Sequence, residues 1–252
     1  MKRARTSLLI AIAGSVLLFA CDRTRPGNGS SPKEPAQQHV TMIQNTPLNS
    51  STPIVGPINY VALGDSTGAG VGAREGGYVA RLFKRIVARR PASRLTNLCV
   101  SGATSSDVLR DQLPEALRED VNLVTLGIGI NDVGHGFSAD QFSKNYEAIL
   151  IGLRRNTKAT IVVTNIPDIS SAPRIPEIIR AEYQRLIVEF NGRLAEIASR
   201  HGVIVFDVHL ATREQLPAHP EFFSADGFHP SDAGYEFWAE NMWPTVARAI
   251  GE

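Results

Sequence analysis

Apolar residues along this chain keep two alternating rhythms. Short runs rich in β-branched residues, Ile58 to Leu63, Arg94 to Cys99, Val121 to Ile128, Thr160 to Asn165 and Val203 to Val208, predict five strands. The third and fourth are near-continuously apolar, as strands covered on both faces tend to be. Between them the apolar spacing lengthens to that of helices. Tyr78 to Arg90 places Val79, Leu82, Phe83, Ile86 and Val87 on one face and stops before Pro91. A shorter helix is expected over Ser106 to Leu117, broken near Pro114. Ser138 to Arg155 carries Phe142, Tyr146, Ile149 and Leu153. Pro176 to Arg200 sets Ile179, Tyr183, Leu186, Ile187, Phe190 and Leu194 toward the core and closes at His201-Gly202. Ser231 to Ile250 is the last helix. Strands and helices in strict alternation predict βαβ units and an α/β fold around a parallel sheet.

The first 57 residues keep neither rhythm. Lys2, Arg3 and Arg5 precede an apolar run from Leu8 to Ala20, too short for a membrane span of about 20 residues but of the right form for a secretory leader. Leu18-Phe19-Ala20-Cys21 resembles a bacterial lipoprotein signal, which implies cleavage before Cys21 and lipid on its thiol. In that resemblance Asp22 is similar to an inner-membrane retention signal. Thr24 to Pro57 is rich in Pro, Ser, Gly, Asn and Gln and reads as a flexible tether. The expected organisation is therefore a signal peptide over 1–20, a lipidated cysteine and linker over 21–57, and a folded domain over 58–252, exported to the cell envelope and held at the membrane.

Charge and cysteine content narrow the picture further. The net charge of the whole chain is +1, and loss of the three leader cations takes it to about −2. No excess of positive charge remains for a nucleic-acid partner. With Cys21 lipidated, Cys99 has no intramolecular partner, and inside Leu98-Cys99-Val100 it is expected to pack as a small hydrophobe.

In an open parallel sheet, ligands bind beyond the carboxyl ends of the strands. The segments there are Gly64-Asp65-Ser66, Val100-Ser101-Gly102-Ala103-Thr104, Gly129-Ile130-Asn131-Asp132 and Asn165-Ile166-Pro167-Asp168, joined by Asp226-Gly227-Phe228-His229-Pro230 before the last helix. Together they supply what acyl transfer needs. A serine hydroxyl requires a base, and the base requires a partner that fixes its tautomer. Asp226 and His229, three apart in one turn, provide both. An oxyanion requires fixed donors, for which the candidates are the N–H groups of Ser66 and Gly102 and the side-chain amide of Asn131.

Gly64-Asp65-Ser66, Gly102, Gly129-Ile130-Asn131-Asp132 and Asp226-x-x-His229 resemble the four blocks of the SGNH, or GDSL, hydrolases, in order and across essentially the whole domain. The resemblance implies a flavodoxin-like three-layer α/β/α sandwich with a five-stranded parallel sheet. It also implies hydrolysis of esters or thioesters through an acyl-serine, without metal or other cofactor. It gives Ser66 the role of nucleophile, His229 that of base and Asp226 that of its partner, with Ser66, Gly102 and Asn131 forming the oxyanion hole. Thr67 stands where the family's name has Leu, a position that carries no chemistry.

Other readings compete for the same residues. Gly64-Asp65-Ser66-Thr67-Gly68 fits G-x-S-x-G, but that elbow usually lies mid-domain with acid and base well separated. Gly68-Ala69-Gly70-Val71-Gly72-Ala73 fits a dinucleotide fingerprint, yet no acidic residue ends the second strand to hold a ribose. Gly68 to Gly72 read instead as a flexible lead into the first long helix. Asp132-Val133-Gly134-His135 is a second Asp-x-x-His, too close to Asn131 to leave it free as a donor, so His135 is expected in a loop or lining the substrate pocket. Asp65 is expected to fix its own turn. His209 and His219 lack the paired spacing of metal ligands.

The expected function is hydrolysis of small carboxylic esters, with acyl esters, lysophospholipids and O-acetyl groups as candidates and a small, open pocket favouring short or single acyl chains. The loop Ser170 to Pro176 is expected to shape one wall. A non-catalytic envelope-binding lipoprotein is the contrasting class on the same fold, against which stands the complete set of Ser, Gly, Asn, Asp and His.

Overall fold

The computed structural model describes residues 54–252. The leader, Cys21 and the tether up to residue 53 lie outside the described residues. The five expected strands form one parallel sheet: β1 Asn59–Gly64, β2 Arg94–Asn97, β3 Leu123–Gly127, β4 Thr160–Thr164 and β5 Ile204–Phe206, in the order β2-β1-β3-β4-β5. β2 to β5 are shorter than their apolar runs, because pairing with neighbouring strands stops before the runs end, and β1 keeps its length but starts one residue later.

Among the described residues, nine α-helices surround the sheet: α1 Ser66–Ala69, α2 Tyr78–Arg89, α3 Ser105–Asp107, α4 Leu113–Ala116, α5 Ile130–Gly134, α6 Ala139–Asn156, α7 Glu177–His201, α8 Val208–Gln215 and α9 Asp232–Ile250. Alternating residues of the strands feed two cores. Tyr60 and Ala62 of β1 pack with Leu82 and Ile86 of α2 and with Tyr235, Trp238 and Met242 of α9. Val61 and Leu63 face the other way, into a larger core with Phe142, Tyr146, Phe190 and Leu194 of α6 and α7. This three-layer α/β/α arrangement covers both faces of β3 and β4, which accounts for their unbroken apolar runs.

Two expectations are corrected. The short helix over 106–117 is not broken at Pro114, which sits comfortably in the first turn of α4; the interruption is a π-helical turn just before it, Val108–Gln112. Ile179 is 40% exposed, and the buried stripe of α7 runs through Ile187, Phe190, Leu194 and Ile197.

The strand order places β1 beside β3, with β2 outside one and β4 outside the other. That neighbourhood is the switch point of an open α/β sheet, where the crossovers diverge and a crevice opens. The segments leaving β1 and β3 carry Ser66 and Asn131.

Candidate active site

Ser66 owes its position to a crowded turn. Gly64 and Gly127 pair in register at the ends of β1 and β3, and a Cβ on Gly64 would lie 2.4 Å from the Gly127 carbonyl oxygen. Only glycine lets the two strands close there. Asp65 caps α1 by accepting from the Thr67 N–H at 2.9 Å and the Thr67 hydroxyl at 2.8 Å, as expected of a turn-fixing residue. Ser66 follows as the first helical residue, 4% exposed. Its N–H, at the start of α1, has no acceptor within the helix.

A residue that the sequence does not point to holds this turn from behind. The buried side chain of Gln112 accepts from the Gly64 N–H at 2.8 Å and donates from Nε2 to the Gly64 carbonyl at 2.8 Å. It sits at the end of the π-helical turn, 48 residues along the chain from Gly64.

The glycines after Ser66 are tightly packed, which corrects the reading of them as a slack lead. A Cβ on Gly68 would meet Cys99 Sγ at 2.3 Å, and one on Gly70 the Gly77 nitrogen at 2.4 Å. Gly72, at φ +93°, lies against the base: a Cβ there would be 2.9 Å from His229 Cβ and 2.7 Å from the Pro230 carbonyl. Cys99 packs among these residues, and burial pushes its thiol well above the ordinary range.

His229 and Asp226 form a closed unit. Asp226 Oδ2 lies 2.6 Å from His229 Nδ1, while Oδ1 accepts from the Phe228 and His229 N–H groups at 2.8 and 2.9 Å and from the Ser224 hydroxyl at 2.8 Å. Partial burial pushes the Asp226 carboxyl up, but hydrogen bonds from the His229 ring and backbone, Phe228 and Ser224 outweigh it and hold the group well below the ordinary carboxylate range. An ionised Asp226 requires the proton on Nδ1, which leaves Nε2 as the basic nitrogen. Arg174 and Pro173 brace this turn, Arg174 N–H donating to the Gly227 carbonyl at 3.0 Å and Pro173 Cβ lying 3.2 Å from where a Gly227 Cβ would be. The loop Ser170 to Pro176 thus supports the base; Pro167 and Ile169, just before it, line the pocket.

The turn is anchored from the other side through Asp232. Its carboxylate accepts from the N–H groups of Arg74 and Glu75 and from Arg81, a guanidinium only 8% exposed that also pairs with Glu236. Gly72, Arg74 and the start of α9 are locked around His229.

Of the expected oxyanion donors, Asn131 lies in α5 and donates from Nδ2 to the Ala103 carbonyl at 2.9 Å. That bond ties it to the loop holding Gly102, which is exposed at φ +81°. The rival Asp132 is fully buried and turned away, accepting from the N–H and hydroxyl of Ser105. Burial raises its carboxyl above the ordinary value despite those bonds. His135 is exposed and outside the pocket.

Ser66 and His229 line one cleft of about 620 Å³, walled mainly by Ile130, Ile169, Val208, Leu216, Phe222 and Phe228. A model of the family described as GDSL-like Lipase/Acylhydrolase matches residues 62–237, from β1 into α9. The chain belongs to the GDSL-like lipase/acylhydrolase family. Esterase TesA of Pseudomonas aeruginosa is 27% identical over 189 residues, covering 74% of this chain and 86% of TesA. A GDSL-like esterase of Mycobacterium tuberculosis is 27% identical over 207 residues, covering 77% of this chain and 63% of that one. Among solved structures, TesA superposes with a TM-score of 0.63 at 26% identity, over 76% of this chain and 99% of that one. Axe2, an acetylxylan esterase from Geobacillus stearothermophilus, shares the fold with a TM-score of 0.63 at 22% identity, over 79% and 96%. This GDSL-like chain is a serine hydrolase with the α/β fold of its family.

The nucleophile's turn carries a pH-sensitive group. Burial raises the Asp65 carboxyl from 3.8 to about 6, opposed by the Thr67 hydrogen bonds and the nearby His229. The folded state therefore holds this proton more tightly than the unfolded chain. Between those two values only the unfolded chain has lost it, so stability falls as pH rises from about 4 to about 6 and then levels, by on the order of 3 kcal/mol. The depressed Asp226 acts in a separate window, its stabilisation present above the ordinary carboxylate value and lost as pH falls below it. Asp65→Asn keeps an acceptor for Thr67 and removes the titration. Urea unfolding at pH 4, 5, 6 and 7 should show the fall in the native protein and its flattening in the variant; equal slopes would show that Asp65 does not cause it.

Proposed function

We propose that this serine hydrolase is an esterase acting on a single apolar acyl chain. Ser66 Oγ attacks the ester carbonyl while His229 Nε2 takes its proton, forming an oxyanion received by the Ser66 and Gly102 N–H groups and the Asn131 amide. Collapse of the intermediate returns the proton to the leaving alcohol and leaves an acyl-serine. Water, deprotonated by His229, then attacks the acyl carbon, and Ser66 leaves with the proton. Asp226 stays ionised throughout and holds the ring.

The observation that carries this reading is the cleft, in which Ser66 and His229 share walls made of aliphatic and aromatic side chains. Such walls favour an alkyl chain over the polar surroundings of an acetyl group on a sugar. Acyl esters and lysophospholipids therefore fit better than O-acetylated polysaccharide. The names of TesA and of the mycobacterial relative as esterases agree with the reaction class.

The test is hydrolysis of p-nitrophenyl esters from acetyl to dodecanoyl. kcat/KM should climb by about fourfold per added methylene until the cleft is full, the gain from burying one CH₂. An optimum at acetyl would defeat the acyl-chain reading, and no Ser66-dependent release from any ester would favour a binding protein. We further propose, from the leader and Leu18-Phe19-Ala20-Cys21, that the enzyme works at the envelope membrane. The mature N-terminal peptide should then carry acyl groups on Cys21; a peptide beginning elsewhere would refute the anchor.

A further inference from the structure

We propose that Trp238 sets the length of acyl chain the enzyme accepts, by standing between the catalytic cleft and a second pocket at the ends of β1, β3 and β4. The proposal rests on the esterase reading above and adds a specificity residue to it.

The second pocket is lined by Asp65, Gly127, Ile128, Thr164, Asn165 and Ile166 together with four residues that it shares with the cleft. Those four are Thr67, Ile130, Pro167 and Trp238. They are the partition. Thr67 and Pro167 are small and fixed by the backbone, so the two movable volumes in it are Ile130 and the much larger indole of Trp238.

The indole is locked in place. Trp238, on α9, is 4% exposed and stacks on Tyr78 of α2, with ring centroids 4.9 Å apart and planes 6° from parallel. Tyr78 is fully buried, and its hydroxyl reaches so close to Gly127 that a Cβ there would lie 2.7 Å from it. The stack thus runs from the helix layer to the end of β3, beside the second pocket. Swinging the indole aside to lengthen the cleft would break this stack inside a packed core.

Among the described residues, the Trp238 Nε1–H has no hydrogen-bond partner. What the indole contributes is bulk and a flat face, since a buried unpaired donor is a cost. An acyl chain long enough to cross the cleft ends against that face. A smaller side chain would join the two pockets, and Ile128, Ile130, Ile166 and Pro167 would offer apolar contact to the further methylenes.

The experiment compares the full-length enzyme with Trp238→Phe and Trp238→Leu on p-nitrophenyl esters from butyryl to hexadecanoyl. Titration with a p-nitrophenyl alkylphosphonate counts competent sites. Phe retains a ring to stack on Tyr78 and removes the unpaired donor, so it keeps the test informative where the Leu variant fails to fold. The optimum should lengthen in the order Trp, Phe, Leu. The kcat/KM ratio of the dodecanoyl to the hexanoyl ester should rise about fourfold for Phe and about fifteenfold for Leu, the gain of one and of two buried methylenes. A folded Phe variant whose ratio is unchanged, with all esters affected alike, would overturn the proposal and leave Trp238 a packing residue. Failure of the esterase reading would look different, with no ester hydrolysed by the native enzyme.

Discussion

His229→Ala is expected to lower kcat on a p-nitrophenyl ester by about 10⁴-fold or more, and Ser66→Ala to do the same. The two lesions should not add. A hydroxyl without a base is as inert as a base without a hydroxyl, so the double variant should match either single one, with residual turnover from the oxyanion donors and the cleft. His135→Ala is the control. It removes an exposed imidazole outside the cleft, whose nearby Asp132 is committed to Ser105, and most activity should remain. Burst and steady-state rates across these variants decide the assignment. Loss of turnover in His135→Ala with survival in His229→Ala would reverse it.

Gln112→Leu is expected to damage both stability and rate. Leu has a similar volume but cannot pair with Gly64, whose N–H is left buried without an acceptor; the carbonyl keeps a single bond, from the Val100 N–H at 3.1 Å. One such orphan costs about 1–3 kcal/mol. The catalytic effect arises because Gly64 lies two residues before Ser66, at the point where β1 gives way to α1. A shift of about 1 Å in a nucleophile can cost roughly 10²-fold in rate. Urea unfolding reads the first effect, and kcat against KM under conditions where the variant is fully folded reads the second. An unchanged kcat in the folded variant would reduce Gln112 to a structural prop. Gln112→Glu is the informative companion, since it restores the acceptor for the Gly64 N–H and places a carboxylate oxygen against the Gly64 carbonyl.

The contrast between Asp226 and Gln112 shows what a sequence reveals about such a site. Asp226 and His229 share one turn, so their spacing alone announces a pair, and the structure gives them a 2.6 Å contact. Gln112 is a single polar residue in an amphipathic stretch, and its partner is a backbone group on a distant strand. Side-chain to backbone pairing leaves no trace in the pattern of residue types. Gly72 failed to stand out for a related reason: its glycine reads as turn propensity, while its packing against His229 exists only once α9 has docked. Strands and long helices were legible because apolar periodicity reports burial on one face or two. Their ends were not, because β2 and β5 stop where neighbours stop pairing. The π-helical turn also escaped, since it changes the register of hydrogen bonds without changing composition.

The order of the parts along the chain has a consequence for biosynthesis. Ser66 follows the first strand of the sheet, and His229 lies just before its last helix. A ribosome moving at 5–20 residues per second takes roughly 10–30 s between them. Through that interval the nascent polypeptide contains the serine, and from midway the Asn131 amide, but not the Asp226–His229 pair that deprotonates the hydroxyl. The hydrolase is in effect its own zymogen during translation, silent until the Arg81, Asp232 and Glu236 ion pairs seat the final helix and bring the imidazole to the cleft.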